Sequence, residues 1–99
     1  MATPLRILGI DPGLRCTGFG CIDVEGRHQV SYVGSGVIKP PTTLSEADRL
    51  KSLYASLTEL LAHYQPQLAV VERVFVTVNP KSPLSLGHAL GVAIAALAA

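Results

Sequence analysis

The chain has 99 residues, of which 48% are hydrophobic and 15% charged, and its formal net charge is +1. This length allows one domain at most, and the composition excludes a disordered chain. A charge so close to zero also excludes bulk electrostatic attraction to an acidic partner, so any nucleic-acid face must come from a local arrangement of charges. The N-terminus has no basic region followed by an apolar one, which does not favour secretion and predicts a cytoplasmic location.

The first forty residues predict three antiparallel strands joined by short connections. Leu5–Ile10 is a short apolar run that ends at Asp-Pro-Gly, and Thr17–Val24 follows it. Glu25-Gly26-Arg27 predicts a tight reversal, after which His28–Lys39 resumes with β-branched and aromatic residues.

The two cysteines, Cys16 and Cys21, are five residues apart and lie in apolar surroundings. They have neither a CxxC spacing nor a paired histidine, so a metal site on them is not expected. The pattern predicts two small buried thiols.

An amphipathic helix follows the three strands and ends at Gln65-Pro66. Two overlapping capping-box patterns, Thr43-x-x-Glu46 and Ser45-x-x-Asp48, allow either Thr43 or Ser45 to be its N-cap. Its apolar side chains recur at steps of three and four, at Ala47, Leu50, Leu53, Leu57, Leu60, Leu61 and Tyr64.

A fourth strand and a second helix complete the pattern. Leu68–Val71 is apolar without alternation, which predicts a central parallel strand covered on both faces. Ser82-Pro83 predicts the start of a helix over Leu84–Ala99, whose small residues, Gly87 and Gly91 among them, pack against the sheet. Such a helix spans about 24 Å and is too short to cross a bilayer. Because the chain stops inside a helical pattern, we expect residues 1–99 to be one incomplete domain, the N-terminal part of a longer one.

Two acids share a context in this pattern. Asp11 and Glu72 each follow a buried apolar run at the point where a strand emerges. If those strands are parallel neighbours, about 4.8 Å apart, both carboxylates reach one end of the sheet and can hold a divalent cation. Two simpler interpretations remain open, because Asp before Pro-Gly is common in turns and Glu72 followed by Arg73 is typical of an exposed strand end.

Three stretches of the sequence, GIDPGLRCTGFG, YVGSGVI and VVERVFVTVNPKSPLSLGHALGVA, resemble successive blocks of the RuvC family, the bacterial Holliday-junction resolvases. The resemblance runs in order from Leu8 to about Ala96. It implies an α/β fold of the ribonuclease H-like class with strand order 3-2-1-4-5, in which strands 1–3 are antiparallel, strand 4 is parallel and helices pack on the sheet. It also implies a homodimeric, Mg²⁺-dependent endodeoxyribonuclease of DNA recombination and repair that cuts four-way junction DNA and works with the branch-migration proteins RuvA and RuvB.

The resemblance assigns roles to particular residues. Asp11 and Glu72 fall where the family has its first two catalytic carboxylates, which would hold two Mg²⁺ ions that activate water and stabilise charge on the scissile phosphate. The glycines of the first block would then let the sugar-phosphate backbone approach the metals.

A second group of residues is implied to contact DNA. Phe75 matches a family aromatic near the junction centre, although it also fits a core residue that continues the strand. Asn79 and Lys81 lie in a predicted Pro-bounded loop that suits phosphate contact, and a merely solvated Lys81 is the alternative. Arg15 and Arg73 are further candidates for phosphate contact.

The sequence departs from the family pattern in two respects. The family completes its site with two further acids near the C-terminal end of the domain, which would lie beyond residue 99, so we expect the chain alone to bind metal poorly and to be inactive. Leu90 stands where relatives often carry a basic residue. Of the histidines, His88 suits a structural or dimer contact, and His28 and His63 suit the surface.

Two alternatives remain at this point. Actin-like ATPases and sugar kinases open with a similar G-[IV]-D-x-G hairpin whose backbone cradles ATP phosphates, but their later motifs do not match VERVFVTVNPKS. The other is a non-catalytic relative that binds branched DNA without cutting it.

Overall fold

The computed structural model of the chain describes residues 4–27, 29–72 and 81–98, and these form one four-stranded sheet and two helices. The strand order is β3-β2-β1-β4, and the pairing is antiparallel between β1, β2 and β3 and parallel between β1 and β4. This is the order and direction predicted for strands 1 to 4, so the predicted fold class is confirmed. The elements are β1 Leu5–Asp11, β2 Thr17–Glu25, β3 Gln29–Ile38, α1 Glu46–Tyr64, β4 Leu68–Val71 and α2 Lys81–Ala98.

The antiparallel strands contain two local departures from regular geometry. Gly26, in the turn after β2, has a φ of 64°, a left-handed conformation that glycine adopts without a steric penalty. Between β2 and β3 the register shifts at Cys21/Ile22, because Cys21 pairs with Gly34 and Ile22 with Tyr32. Val33 is therefore the extra residue of a β-bulge, and it packs against the core.

Helix α1 begins and ends at well-defined caps. Ser45 is its N-cap, and the hydroxyl of Ser45 accepts a hydrogen bond from the Asp48 amide at 3.2 Å. This selects the second of the two predicted capping boxes. At the other end, Gln65 adopts a left-handed conformation with φ 49° and donates its amide hydrogen to the Leu61 carbonyl at 2.9 Å. Pro66 follows directly, and a proline cannot continue the helical hydrogen bonding.

One apolar layer lies between the sheet and the helices. Strands β1 and β2 and both helices contribute to it, and partly buried residues such as Val33, Leu60 and Tyr64 surround it. Its fully buried members are Leu8, Ile10, Cys21, Leu53, Leu57, Ala93 and Ala96.

Helix α2 begins at Lys81, three residues before the predicted Leu84. Pro83 still lies in the first turn of the helix. Amide groups in that turn have no intrahelical acceptor, so the amide hydrogen that proline lacks costs no hydrogen bond. Ala93 and Ala96 enter the core, but the predicted packing of Gly91 is wrong, because Gly91 is exposed and a Cβ atom built on it meets nothing within 4 Å. Neither helix, over the described residues, is long and apolar enough to span a membrane.

Two further predictions about burial are wrong. Strand β4 is not covered on both faces by the described residues, because Leu68 and Val70 are 47% and 52% exposed while Ala69 and Val71 are half-buried. Within the described part of the chain, the helices pack on one face of the sheet. The second error concerns Cys16, which is exposed in the β1–β2 loop, whereas Cys21 is buried as predicted. Burial is the main reason that the pKa of the Cys21 thiol is raised.

Arg6 joins β1 to three other parts of the fold at the sheet end that lies away from Asp11. Its guanidinium donates from Nε and Nη2 to the two carboxylate oxygens of Asp23 at 2.9 and 3.0 Å, and from Nη1 to the Tyr64 carbonyl at 3.0 Å. The backbone of Arg6 also exchanges two hydrogen bonds with Gln67, one to its side chain and one to its backbone. These contacts connect β1, β2, the C-terminus of α1 and the start of β4.

The Arg6–Asp23 pair predicts a specific pH dependence of stability. The hydrogen bonds from Arg6 lower the pKa of Asp23 below its ordinary value of 3.8. The pair therefore stabilises the fold fully above that value, and the contribution is lost as the pH falls through the lower, folded pKa. We expect Asp23→Asn to lower the unfolding temperature at pH 6, and the difference from the parent to shrink below pH 3.8. Thermal unfolding between pH 6 and pH 2 measures this. Glu25→Gln at the exposed end of β2 is the control, and a difference that stays constant with pH would contradict the prediction.

Candidate active site at the end of the sheet

The pairing of β1 with β4 determines where the two candidate acids lie. The last parallel pair is Ile10 with Val71, and the Glu72 amide donates to the Ile10 carbonyl at 2.9 Å. Glu72 thus extends the ladder by one residue and comes opposite Asp11, the last residue of β1. Neighbouring strands are about 4.8 Å apart, so the two residues are lateral neighbours at one end of the sheet.

Both acids line the same open depression, which has a volume of about 510 Å³. Asp11 and Glu72 are exposed, and among the described residues neither carboxylate has a hydrogen-bond or ion-pair partner. The other residues of the lining are Gly9, Ile10, Gly18, Phe19, Gly20 and Val70. The structure therefore brings together the two residues that the sequence analysis chose as metal ligands.

Three glycines line the depression beside the acids. In the β1–β2 register Gly9 pairs with Gly20, and Asp11 pairs with Gly18. A Cβ atom built on Gly20 meets nothing within 4 Å, and one on Gly18 or Gly9 meets its nearest neighbour at 3.9 or 3.8 Å, which is ordinary contact. The packing of the described residues therefore does not require glycine at these positions, and their effect is to keep the wall of the depression free of side chains.

The glycine of the Asp-Pro-Gly turn has a different role. A Cβ atom on Gly13 would collide with the Cys16 carbonyl, so the β1–β2 loop requires glycine there. The same loop is held by Thr17, which the sequence analysis did not select. The Thr17 hydroxyl accepts a hydrogen bond from the Gly13 amide at 3.1 Å and donates one to the Gly13 carbonyl at 2.8 Å.

For the other predicted site residues, the structure gives a position only for Arg15 and Lys81. Arg15 is exposed in the β1–β2 loop, next to the end of the sheet that carries Asp11. Arg73, Phe75 and Asn79 lie outside the described residues. Lys81 was predicted to lie in a loop, but it is the first residue of α2. The structure does not describe its side chain.

The histidines lie away from the two acids where the structure describes them. His63 is exposed on α1, as predicted, and His28 is outside the described residues. The Nδ1 atom of His88 lies 2.7 Å from Oε1 of Glu46, which joins α2 to the first turn of α1. This contact agrees with the structural role expected for His88.

The donor chemistry of the site suits a hard cation. Carboxylate oxygens are the protein ligands that Mg²⁺ prefers, and Mg²⁺ commonly takes only one or two of them, with water and substrate phosphate at its other positions. The described residues contain no group of three or more His, Cys, Asp or Glu side chains able to hold a metal ion. The carboxylates of Asp11 and Glu72 are chemically compatible with Mg²⁺ as two of its ligands.

Comparison with known proteins agrees with this geometry. The sequence profile of the family described as crossover junction endodeoxyribonuclease RuvC matches residues 7–99. The chain belongs to the RuvC family. It is 56% identical over 97 residues to a crossover junction endodeoxyribonuclease RuvC of Dechloromonas aromatica (strain RCB), covering 98% of this chain and 53% of that protein. The corresponding protein of Neisseria meningitidis (strain FAM18) is 55% identical, with coverages of 98% and 54%. The chain thus spans about half the length of the curated relatives that it matches.

Solved structures show the same fold. Thermus thermophilus RuvC in complex with Holliday junction substrate superposes with a TM-score of 0.83 at 26% sequence identity, covering 93% of this chain and 56% of that one. The Aquifex aeolicus PPX-GPPA enzyme reaches a TM-score of 0.51 at 15% identity, over 70% of this chain and 26% of that one, which indicates similarity of fold alone. Membership of the RuvC family favours the nuclease interpretation of the sequence over the ATP-binding one.

The glycine geometry predicts opposite effects for two matched substitutions. Gly20→Ala should raise the free energy of unfolding by about 0.5–1 kcal/mol, because alanine is the better strand residue and the space is free. Gly34→Ala should lower it by about 1–3 kcal/mol, because the new Cβ would lie 3.0 Å from Cζ of Tyr64 and displace that ring. Denaturant unfolding of both variants measures the difference. Loss of stability in Gly20→Ala would show that packing, and not the depression, requires that glycine.

Proposed function

We propose that this chain forms part of a structure-selective endodeoxyribonuclease that resolves Holliday junctions in DNA recombination and repair by metal-assisted phosphodiester hydrolysis. The observation that carries the proposal is the β1–β4 register, which puts Asp11 and Glu72 side by side in an open depression lined with glycines. The resemblance of the chain to a RuvC solved with Holliday junction substrate supports the choice of four-way junction DNA as the substrate.

In this proposal Asp11 and Glu72 are metal ligands and the first two catalytic acids. Mg²⁺, two ions in a complete site, would supply Lewis-acid stabilisation of the charge on the scissile phosphate and a bound water of lowered pKa. The two carboxylates hold the cations at the open end of the sheet, where no described side chain blocks the approach of a phosphate. Their exposure matters, because Mg²⁺ gives up its waters reluctantly and suits a site that leaves room for them.

The same depression would receive the sugar-phosphate backbone. Gly9, Gly18 and Gly20 leave its wall without side chains, so the strand to be cut can come close to the carboxylates. Arg15, exposed in the adjoining loop, would contact a phosphate. By resemblance to the family, Phe75 would stack on bases near the junction centre, and Asn79, Lys81 and Arg73 would add phosphate contacts.

The assembly that we propose also follows from the family resemblance. The enzyme would act as a homodimer in the cytoplasm, so that two sites cut opposed strands of the junction, and it would work with RuvA and RuvB. Residues 1–99 would be one part of a single ribonuclease H-like nuclease domain. The fraction of the curated relatives that the chain spans, 53% and 54% for the two described above, supports this.

Metal binding gives the first test of this function. Asp11→Asn and Glu72→Gln each remove one charged ligand, so each should weaken Mn²⁺ binding about tenfold or more, which corresponds to about 1.4 kcal/mol. Isothermal titration calorimetry measures the affinity in a chimera whose residues 1–99 replace the matching part of the Dechloromonas aromatica relative, because we expect the chain alone to bind metal poorly. Glu59→Gln on the exposed side of α1 is the matched control. Equal affinities of the parent and Asp11→Asn would contradict the proposed site.

Cleavage of a synthetic four-way junction in Mg²⁺ gives the second test. The 99-residue chain alone should leave the junction uncut. A chimera in which residues 1–99 replace the matching part of the Dechloromonas aromatica relative should cut it, and Asp11→Asn should slow that chimera at least 100-fold, or about 2.7 kcal/mol. Gel-shift binding by the chimera without any cleavage would instead support the non-catalytic alternative. Cleavage by the isolated chain that is lost in Asp11→Asn would show that two acids suffice.

A further inference from the structure

The loop between β1 and β2 contains a buried hydroxyl that the proposed chemistry does not use. Among the residues whose burial the structure describes, Thr17 is the buried polar side chain, with 0% of its surface exposed. A hydroxyl in an apolar layer costs free energy unless it is hydrogen-bonded. Thr17 meets that requirement with a single partner residue, since its hydroxyl bonds to both the amide and the carbonyl of Gly13.

These two hydrogen bonds close a compact loop directly after Asp11. They tie the first residue of β2 to the second residue beyond β1, and Pro12, between Asp11 and Gly13, is itself buried. A Cβ atom at position 13 would collide with the Cys16 carbonyl, so the loop has room only for glycine there. The loop is thus fixed by the Thr17 hydroxyl and closely packed at Gly13.

Both ends of the closed loop belong to the candidate site. Asp11, immediately before the loop, pairs with Gly18, immediately after Thr17. Arg15, the exposed cation proposed to contact phosphate, lies in the middle of the loop. A change in the Gly13–Thr17 contact would therefore alter the backbone on both sides of the Asp11 carboxylate and the direction of Arg15.

We propose that Thr17 is a positioning residue, whose hydroxyl fixes the Gly13 backbone and thereby orients Asp11 toward the metal; this inference rests on the proposed function. Thr17 touches neither metal nor substrate and acts through the loop, as an outer-shell partner orients a metal ligand. Thr17 is fully buried, and valine keeps its shape whereas serine keeps its hydroxyl, so the hydroxyl and the methyl group can be tested separately.

The test compares Thr17→Val, which keeps the shape and removes the hydroxyl, with Thr17→Ser, which keeps the hydroxyl. Mn²⁺ affinity of the chimera described above, measured by calorimetry, should fall about tenfold in Thr17→Val and remain close to that of the parent in Thr17→Ser. Hydrogen exchange of the Gly13 amide, measured by NMR, should become faster in Thr17→Val alone. Thr58→Val is the matched control, because Thr58 also donates its hydroxyl to a backbone carbonyl, that of Tyr54, but is exposed on α1.

A second variant keeps the inference testable if Thr17→Val does not fold. Gly13→Ala leaves Thr17 in the core and displaces the loop through the collision with Cys16, so it should weaken Mn²⁺ binding to a similar degree. Parent-like Mn²⁺ affinity in folded Thr17→Val or Gly13→Ala, while Asp11→Asn binds weakly, overturns the positioning role and leaves the metal site standing. An equal loss in Thr17→Ser and Thr17→Val overturns it as well. Equal affinity in the parent and Asp11→Asn rejects the metal site itself, and the inference with it.

Discussion

The candidate site depends on the register between two parallel strands. Asp11 and Glu72 are sixty-one positions apart in the chain, and they meet because Ile10 pairs with Val71 and the ladder continues for one more hydrogen bond. A slip of one residue would turn every side chain of β4 to the opposite face of the sheet. Glu72 would then point toward the helices, and Val71 would take its place beside Asp11. The core resists such a slip, because β1 is fixed by the buried side chains of Leu8 and Ile10.

The two faces of the sheet separate stability from chemistry. Leu8, Ile10 and Cys21 pack against the helices, and the residues that alternate with them along β1 and β2 lie on the other face. Near the end of the sheet those alternating residues are glycines and Asp11. Each strand glycine lowers the stability by roughly 0.5–1 kcal/mol relative to alanine, and the packing of the described residues does not offset this loss. The glycines therefore keep the depression open and lower the stability of the strands, and packing does not require them.

Periodicity and turn residues predicted the strands and the first helix within one residue or two, because hydrophobic patterning and caps are local properties of the chain. The position of Asp11 and Glu72 at the same end of the sheet was also predictable, since parallel strands place their ends at one edge. What local patterns do not encode is which side of an element is covered. Cys16 and Thr17 are neighbours in sequence, yet one is exposed and the other buried, because the strand begins between them. The Arg6–Asp23 pair, which depends on cross-strand register, was missed for a related reason.

The carboxylates at the two ends of the sheet differ in whether the described residues give them a cationic partner. At one end Asp23 receives two hydrogen bonds from Arg6, so its charge is neutralised within the protein and its pKa is lowered. At the other end Asp11 and Glu72 have no cationic partner among the described residues, although like charges on neighbouring strands repel. Both carboxylates are exposed, so a cation from solution can reach them. A cation held by only two carboxylates keeps free positions for phosphate oxygens, and by linkage each of the two, cation and phosphate, strengthens the binding of the other by the same factor.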